Sequence, residues 1–196
     1  MKKFELTSET KINIFGKKLF RIKALISFGD VKAGETGGWV EKEENVNQSG
    51  NAWVYDNAMV FDNAKVFDNA KVSGDAKVSG NAKVYGDAWV YGNAWVYGDA
   101  WVYGDAWVYG NAKVYGDAWV YGNADYATIH GFGTQFRTTT FFRCKDKKVR
   151  VACGCFFGTI PEFREQVKDT RKGKIAEEYL VIADLMEKHF EVKSNE

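Results

Sequence analysis

The chain has 196 residues, and 27 Lys+Arg against 26 Asp+Glu leave a formal net charge of +1. That balance excludes an overall electrostatic draw toward nucleic acid or an anionic membrane surface. Aromatics make up 16% of the chain, and its three cysteines, Cys144, Cys153 and Cys155, are too few and too local for a disulfide framework. Reduced thiols and a cytoplasmic setting are therefore expected. The opening MKKFELTSETK has acidic and polar residues and no apolar run after its lysines, so it does not read as a secretory signal. No stretch approaches the ~18 apolar residues of a membrane span, and no membrane partner is expected.

Residues 1–38 read as a β cap. KINIF and LFRIKAL flank Gly16-Lys17-Lys18 and predict a hairpin. Such a hairpin would cover strand edges that otherwise invite aggregation.

Residues 39–132 read as a solenoid. Val recurs at every sixth position from Val54 to Val120, and Ala sits two places before each. Self-similarity at a short fixed period marks a repeat architecture. Within A-x-V-x the period is 2, so Ala and Val share one strand face. Trp, Lys and Met share the other with Tyr, Phe and Ser. The G-[DN] or D-N pair between units supplies residues that tolerate left-handed corners. Val40 and Val46 extend the pattern backward and Tyr126 extends it forward, with a two-residue insertion between Val46 and Val54.

The unit resembles the hexapeptide repeat of left-handed parallel β-helices. There an inward aliphatic residue, here Val90, is followed four places later by a small one, here Ala94. The resemblance implies three units per 18-residue coil, so twelve units make four coils rising ~4.8 Å each. It also implies side-by-side association as a homotrimer. Phe20–Leu25, Phe28–Lys32 and Gly37–Glu41 resemble the lead-in segment of hexapeptide proteins encoded by phages and prophages, often labelled transferase-like or polymer-forming. The expected fold is thus mainly β: a hexapeptide β-helix with an N-terminal hairpin cap and a small C-terminal ββαα domain.

Counting by 18 stacks Trp53, Lys71, Trp89 and Trp107 on one face. Met59, Lys77, Trp95 and Lys113 stack on the second, and Lys65, Lys83, Trp101 and Trp119 on the third. A polar belt from Lys65 to Lys83 is followed by an aromatic belt. Its candidate binding residues are Trp89, Trp95, Trp101, Trp107 and Trp119 with Tyr91, Tyr97, Tyr103 and Tyr109. Aromatic ladders stabilise sheets by ~0.2–1 kcal/mol per pair. Exposed aromatic patches also mark interfaces, and could grip sugar rings or bases. With Lys and Asp evenly mixed and no basic stripe, nucleic acid is disfavoured. Asp87 and Asp105 would stack at one corner, where corner geometry explains them better than calcium does.

Residues 133–196 read as the ββαα domain. TTTFFRC and VRVACGCFF flank Lys145-Asp146-Lys147-Lys148 as a second hairpin. Thr159-Ile160-Pro161-Glu162 is a capping box with Pro in the first turn, so a helix starts there. Tyr179, Ile182, Ala183, Met186 and Phe190 place a second helix over about 175–189. The V-x-C-G-C-F-x-G-T segment, Val151–Thr159, again resembles the phage-type proteins.

Many hexapeptide solenoids are acyltransferases, and the resemblance implies acyl-CoA chemistry with His130 as base as the alternative reading. On a strand, Cys153 and Cys155 would share a face, with Cys144 opposite on the partner strand and His130 as a fourth ligand to complete a metal site; buried core thiols are the simpler reading. No phosphate loop, dinucleotide fingerprint or Ser nucleophile motif is present. The preferred reading is a non-enzymatic binding or scaffold protein without cofactor. A phage-type accessory role would direct it to a host protein or small ligand.

Overall fold

The computed structural model describes residues 2–191. Strand β1 (Phe4–Ile12) and strand β2 (Lys18–Ala24) form an antiparallel hairpin, and β3 (Thr36–Val40) pairs antiparallel with β2. Twelve two-residue strands follow at six-residue spacing, from β4 (Trp53–Val54) to β15 (Trp119–Val120). They stack into three parallel faces of four strands. An irregular first coil precedes them, with Val40 paired to Val60 and Val46 bridged to Val66.

Every Val and Ala of the regular units is fully buried. The prism is narrow, so only small and β-branched residues fill it, and each Val rests on a copy of itself, as Val90 does between Val72 and Val108. Gly37 and Gly38 bring the lead-in segment flush with this core. A Cβ on Gly37 would lie 2.6 Å from the Trp53 ring, and one on Gly38 2.5 Å from a Val54 methyl.

The corners use two solutions to one backbone demand. Asp56, Asp62 and Asp68 take positive φ of 51°, 59° and 58°. Their carboxylates accept from the N–H groups of Gly74, Gly80 and Gly86 one coil on, at 3.0, 3.2 and 3.3 Å. In the later coils glycine holds the same corner without a side chain. Beside them run amide ladders. Asn51 donates to Asn69 and Asn69 to Asp87; Asn63 donates to Asn81 and Asn81 to Asp99. Asp87 is thereby provided with a donor.

Coil-to-coil hydrogen bonds run one way. Trp53 N–H donates to Ala70 O, Trp89 to Ala106 and Tyr91 to Val108, so amides point toward the C-terminal end and carbonyls toward the N-terminal end. The two ends are capped with matching chemistry. At the carbonyl end Lys3 Nζ donates to Gly50 O and Ala52 O, and Asn45 Nδ2 to Asp62 O and Ala64 O. The inserted Gln48 accepts from Lys3 N and Phe4 N and donates to Phe4 O, clipping β1 across that end. At the amide end Asn123, Asp125 and Thr140 side chains accept from Trp107, Tyr121 and Lys113 N–H. Each cap supplies the partner that the terminal coil lacks.

Trp53, expected as an outward ring, is fully buried. Phe4 and Phe28 pack edge-on against it at 5.8 and 5.4 Å. The hairpin also does more than cover the end. Its tip reaches along one face, where Phe15 stacks on Phe61 and touches Trp95 at 5.4 Å.

The C-terminal unit has two helices, as expected, but four strands where two were expected. Strand β16 (Tyr126–Phe132), assigned from sequence to the end of the solenoid, pairs antiparallel with β17 (Arg137–Arg143). Then come β18 (Val149–Cys153) and β19 (Phe156–Thr159). Tyr126 is buried and closes the last coil, although its strand has left the solenoid. Gly131, at φ 94°, falls where the β16–β17 register shifts, and this bulge disguises β16 as loop. Gly154, at φ 63°, turns VRVACGCFF into a hairpin instead of one strand. Thr159 caps helix α1 (Ile160–Thr170), with Glu162 reaching back to the Thr159 N–H at 2.7 Å. Hydrogen bonds from the Thr159 backbone and hydroxyl hold the Glu162 carboxyl below the usual carboxylate range. Helix α2 (Gly173–Glu191) packs back along α1. The sheet alternates: Phe142, Cys144 and Ala152 face the prism, while Phe141 and Val151 face the helices.

Candidate functional site

The aromatic belt is a set of ladders. Phe67, Tyr85 and Tyr103 stack with interplanar angles of 5° and 9°. Tyr91–Tyr109 and Tyr97–Tyr115 stack at 14° and 9°. Burial within these ladders pushes the phenols of Tyr85, Tyr97 and Tyr103 upward, so they stay neutral. Each Trp leans toward the residue sixteen positions earlier. Where that is Tyr, the rings meet edge-on, as Trp101 does with Tyr85 and Trp119 with Tyr103. Where it is Ser, the indole N–H donates to the hydroxyl: Trp89 to Ser73 at 2.9 Å and Trp95 to Ser79 at 3.2 Å. The two serines that interrupt the Tyr columns are thus indole acceptors, a role that spacing alone did not disclose. Where the belts meet, Lys83 Nζ lies 4.4 Å above the Trp101 ring.

Exposure rises toward the C-terminal unit. Trp89, Trp95, Trp101 and Trp119 are half-buried, but Trp107, Tyr109 and Tyr121 are 45%, 49% and 61% exposed. Two hollows open beside them. One, of about 410 Å³, lies between Trp107, Tyr109, Asn123 and Tyr126. The other, of about 580 Å³, is lined by Tyr103, Trp119, Tyr121 and Asp125 with Arg143 of the C-terminal sheet and Lys147 of the turn that follows it. Tyr121 belongs to the columns and was reachable by counting. Arg143 and Lys147 were not, because a separate hairpin delivers them.

His130 is exposed on β16, with Nδ1 3.1 Å from Thr138 Oγ1, and lines none of the described cavities. The three thiols do not converge. Cys144 is buried at the solenoid end, and burial pushes its thiol up. Thr139, not Cys144, lies opposite Cys153 and donates to its sulfur at 3.2 Å. Cys155 is exposed in the Gly154 turn. The expected shared face is absent because the chain reverses between the two cysteines. Among the described residues no three His, Cys, Asp or Glu side chains form a metal-holding group. No described helix is long and apolar enough to cross a membrane.

Six-residue units, three parallel faces and an outward aromatic column on each define a β-solenoid repeat protein. Residues 76–92, 88–104 and 106–122 match the model of the YdcK beta solenoid repeat. A curated Escherichia coli (strain K12) protein named "Uncharacterized acetyltransferase YdcK" is 38% identical over 66 residues, 29% of this chain. The chain spans 19% of that relative's length.

Proposed function

We propose that this chain acts by binding, as a cytoplasmic β-solenoid scaffold whose exposed aromatic end contacts further copies of itself in a trimer. The same scaffold would hold a host component, in keeping with the phage-type lead-in and C-G-C segments. The supporting observation is the exposure gradient. The earlier coils keep their Trp rings half-buried, and the last coil leaves Trp107, Tyr109 and Tyr121 open beside two hollows. Trp and Tyr in such a setting are the residues that dominate binding energy. Mass determination in solution tests this. The expected mass is three times 22.1 kDa, falling to one after combined Trp107→Ala, Tyr109→Ala and Tyr121→Ala substitution. A monomeric wild type at micromolar concentration overturns the assembly.

The relative's name favours a second reading, acyl transfer with His130 as base. That reading predicts a rise in melting temperature with acetyl-CoA and loss of transfer in His130→Ala. Neither effect is expected on the binding reading.

A further inference from the structure

The helix-facing side of the C-terminal sheet borders a half-open cavity of about 110 Å³ that the aromatic surface does not use, with Arg137 and Arg171 exposed at it. It lies where the β16–β17 turn and the β18–β19 hairpin meet both helices. Two arginines, Arg137 and Arg171, line it, and among the described residues no carboxylate does. Arg143, Arg150 and Arg164 are each paired with an acid, and Arg21 is taken up by Asp56 O and the Trp39 ring. Among the described residues Arg137 and Arg171 have no acidic partner, and both meet here. Arg171 spends one hydrogen bond on Thr170 O at 3.0 Å, leaving most of its five donors.

The surroundings are arranged for the guanidinium groups. Arg137 lies against Gly154, where a Cβ would sit 2.6 Å from Nη1. Gly154 therefore serves the left-handed turn and makes room for the cation. Gln135 and Gln166 add neutral amides, while Phe163 and Tyr179 form a buried wall. Gln166, Val167 and Thr170 bring the last turn of α1 to the cavity, and Arg171 at its C-cap counters the negative pole of that helix end.

We propose that this cavity binds a compact oxyanion of the phosphate or phosphate-monoester class, held between Arg137 and Arg171. Guanidinium forks match phosphate oxygens. Two uncompensated cations match a group carrying about −1.5 to −2 at pH 7, whereas a carboxylate would neutralise only one. The volume equals that of a few waters at ~30 Å³ each, enough for the anionic group, and the open side leaves any remainder of an ester in solvent.

Calorimetric titration of the full chain with inorganic phosphate, glycerol phosphate and acetate tests this. Saturable one-to-one binding of phosphate, at least tenfold tighter than acetate, is expected. Tighter glycerol phosphate assigns the site to an ester, and equal affinity assigns it to free phosphate. Arg137→Gln and Arg171→Gln should each weaken binding tenfold or more, and Arg164→Gln should leave it unchanged. Heat indistinguishable from sodium chloride, or equal affinity for acetate, overturns the proposal. Should an arginine variant fail to fold, iodoacetamide labelling of Cys155 in the wild type decides. Phosphate should slow it, and an unchanged rate at saturating phosphate refutes the site.

Discussion

Val90→Ala is expected to cost about 2–3 kcal/mol. Val90 is fully buried, with Val72 directly before it and Val108 directly after it on the same face. Losing two methyl groups forfeits ~0.8 kcal/mol each in transfer free energy. The cavity adds to this because the walls cannot close. Ser73 N–H to Val90 O and Tyr91 N–H to Val108 O, both 2.9 Å, pin the neighbouring coils at their spacing. Deletions of this size in rigid cores fall near 1–1.5 kcal/mol per methylene. With a urea dependence of about 2 kcal/mol/M, the midpoint should drop by about 1–1.5 M in equilibrium unfolding followed by circular dichroism. Lys113→Ala, an exposed outward position, is the control and should stay within about 0.5 kcal/mol. If Val90→Ala were indistinguishable from that control, the prism would not be the rigid, fully packed element described above.

Removing Gly86–Tyr103 deletes one coil and should leave a folded protein. Strands β7, β8 and β9 then meet β13, β14 and β15 in the original register, so a cooperative unfolding transition should persist. A 15-residue deletion breaks the inward pattern and should abolish that transition. Lys3 supplies a pH test. Burial lowers its ammonium pKa to about 8 from 10.5. Between those values the unfolded chain binds more protons than the folded one, so this group's contribution to stability rises with pH across that window. The difference in urea stability between wild type and Lys3→Met should therefore grow from pH 8 to pH 10; a flat difference would refute the burial of a charged Lys3.

The solenoid was legible because its signal is strictly periodic. Ala and Val alternate without a slip, and counting by 18 placed every outward column in its observed register. What counting could not reach were contacts made by residues outside the repeat. Trp53 sits at an outward position, yet Phe4 and Phe28 bury it. Gly131 and Gly154 each break a strand signal, which hid β16 and β19 and made the cysteines look like one face. The aromatic residues of the candidate surface were legible by type, but their exposure depends on where the C-terminal sheet docks. Ser73 and Ser79 looked like gaps in a Tyr column because a hydrogen bond from the following coil leaves no local trace. The Arg137–Arg171 cavity joins a strand to a helix end and has no motif of its own.

The six-residue unit also acts as a screw thread between two fittings. The C-terminal cap grips the last coil and the N-terminal hairpin reaches as far as Trp95, so adding or removing the unit Gly98–Tyr103 between them leaves both grips intact. It turns the C-terminal sheet about a third of a revolution relative to the N-terminal hairpin and shifts it by ~1.6 Å, a third of the ~4.8 Å strand spacing. Slippage in such a repetitive coding sequence would change the relative bearing of the two ends in fixed steps, without altering a single contact inside either end.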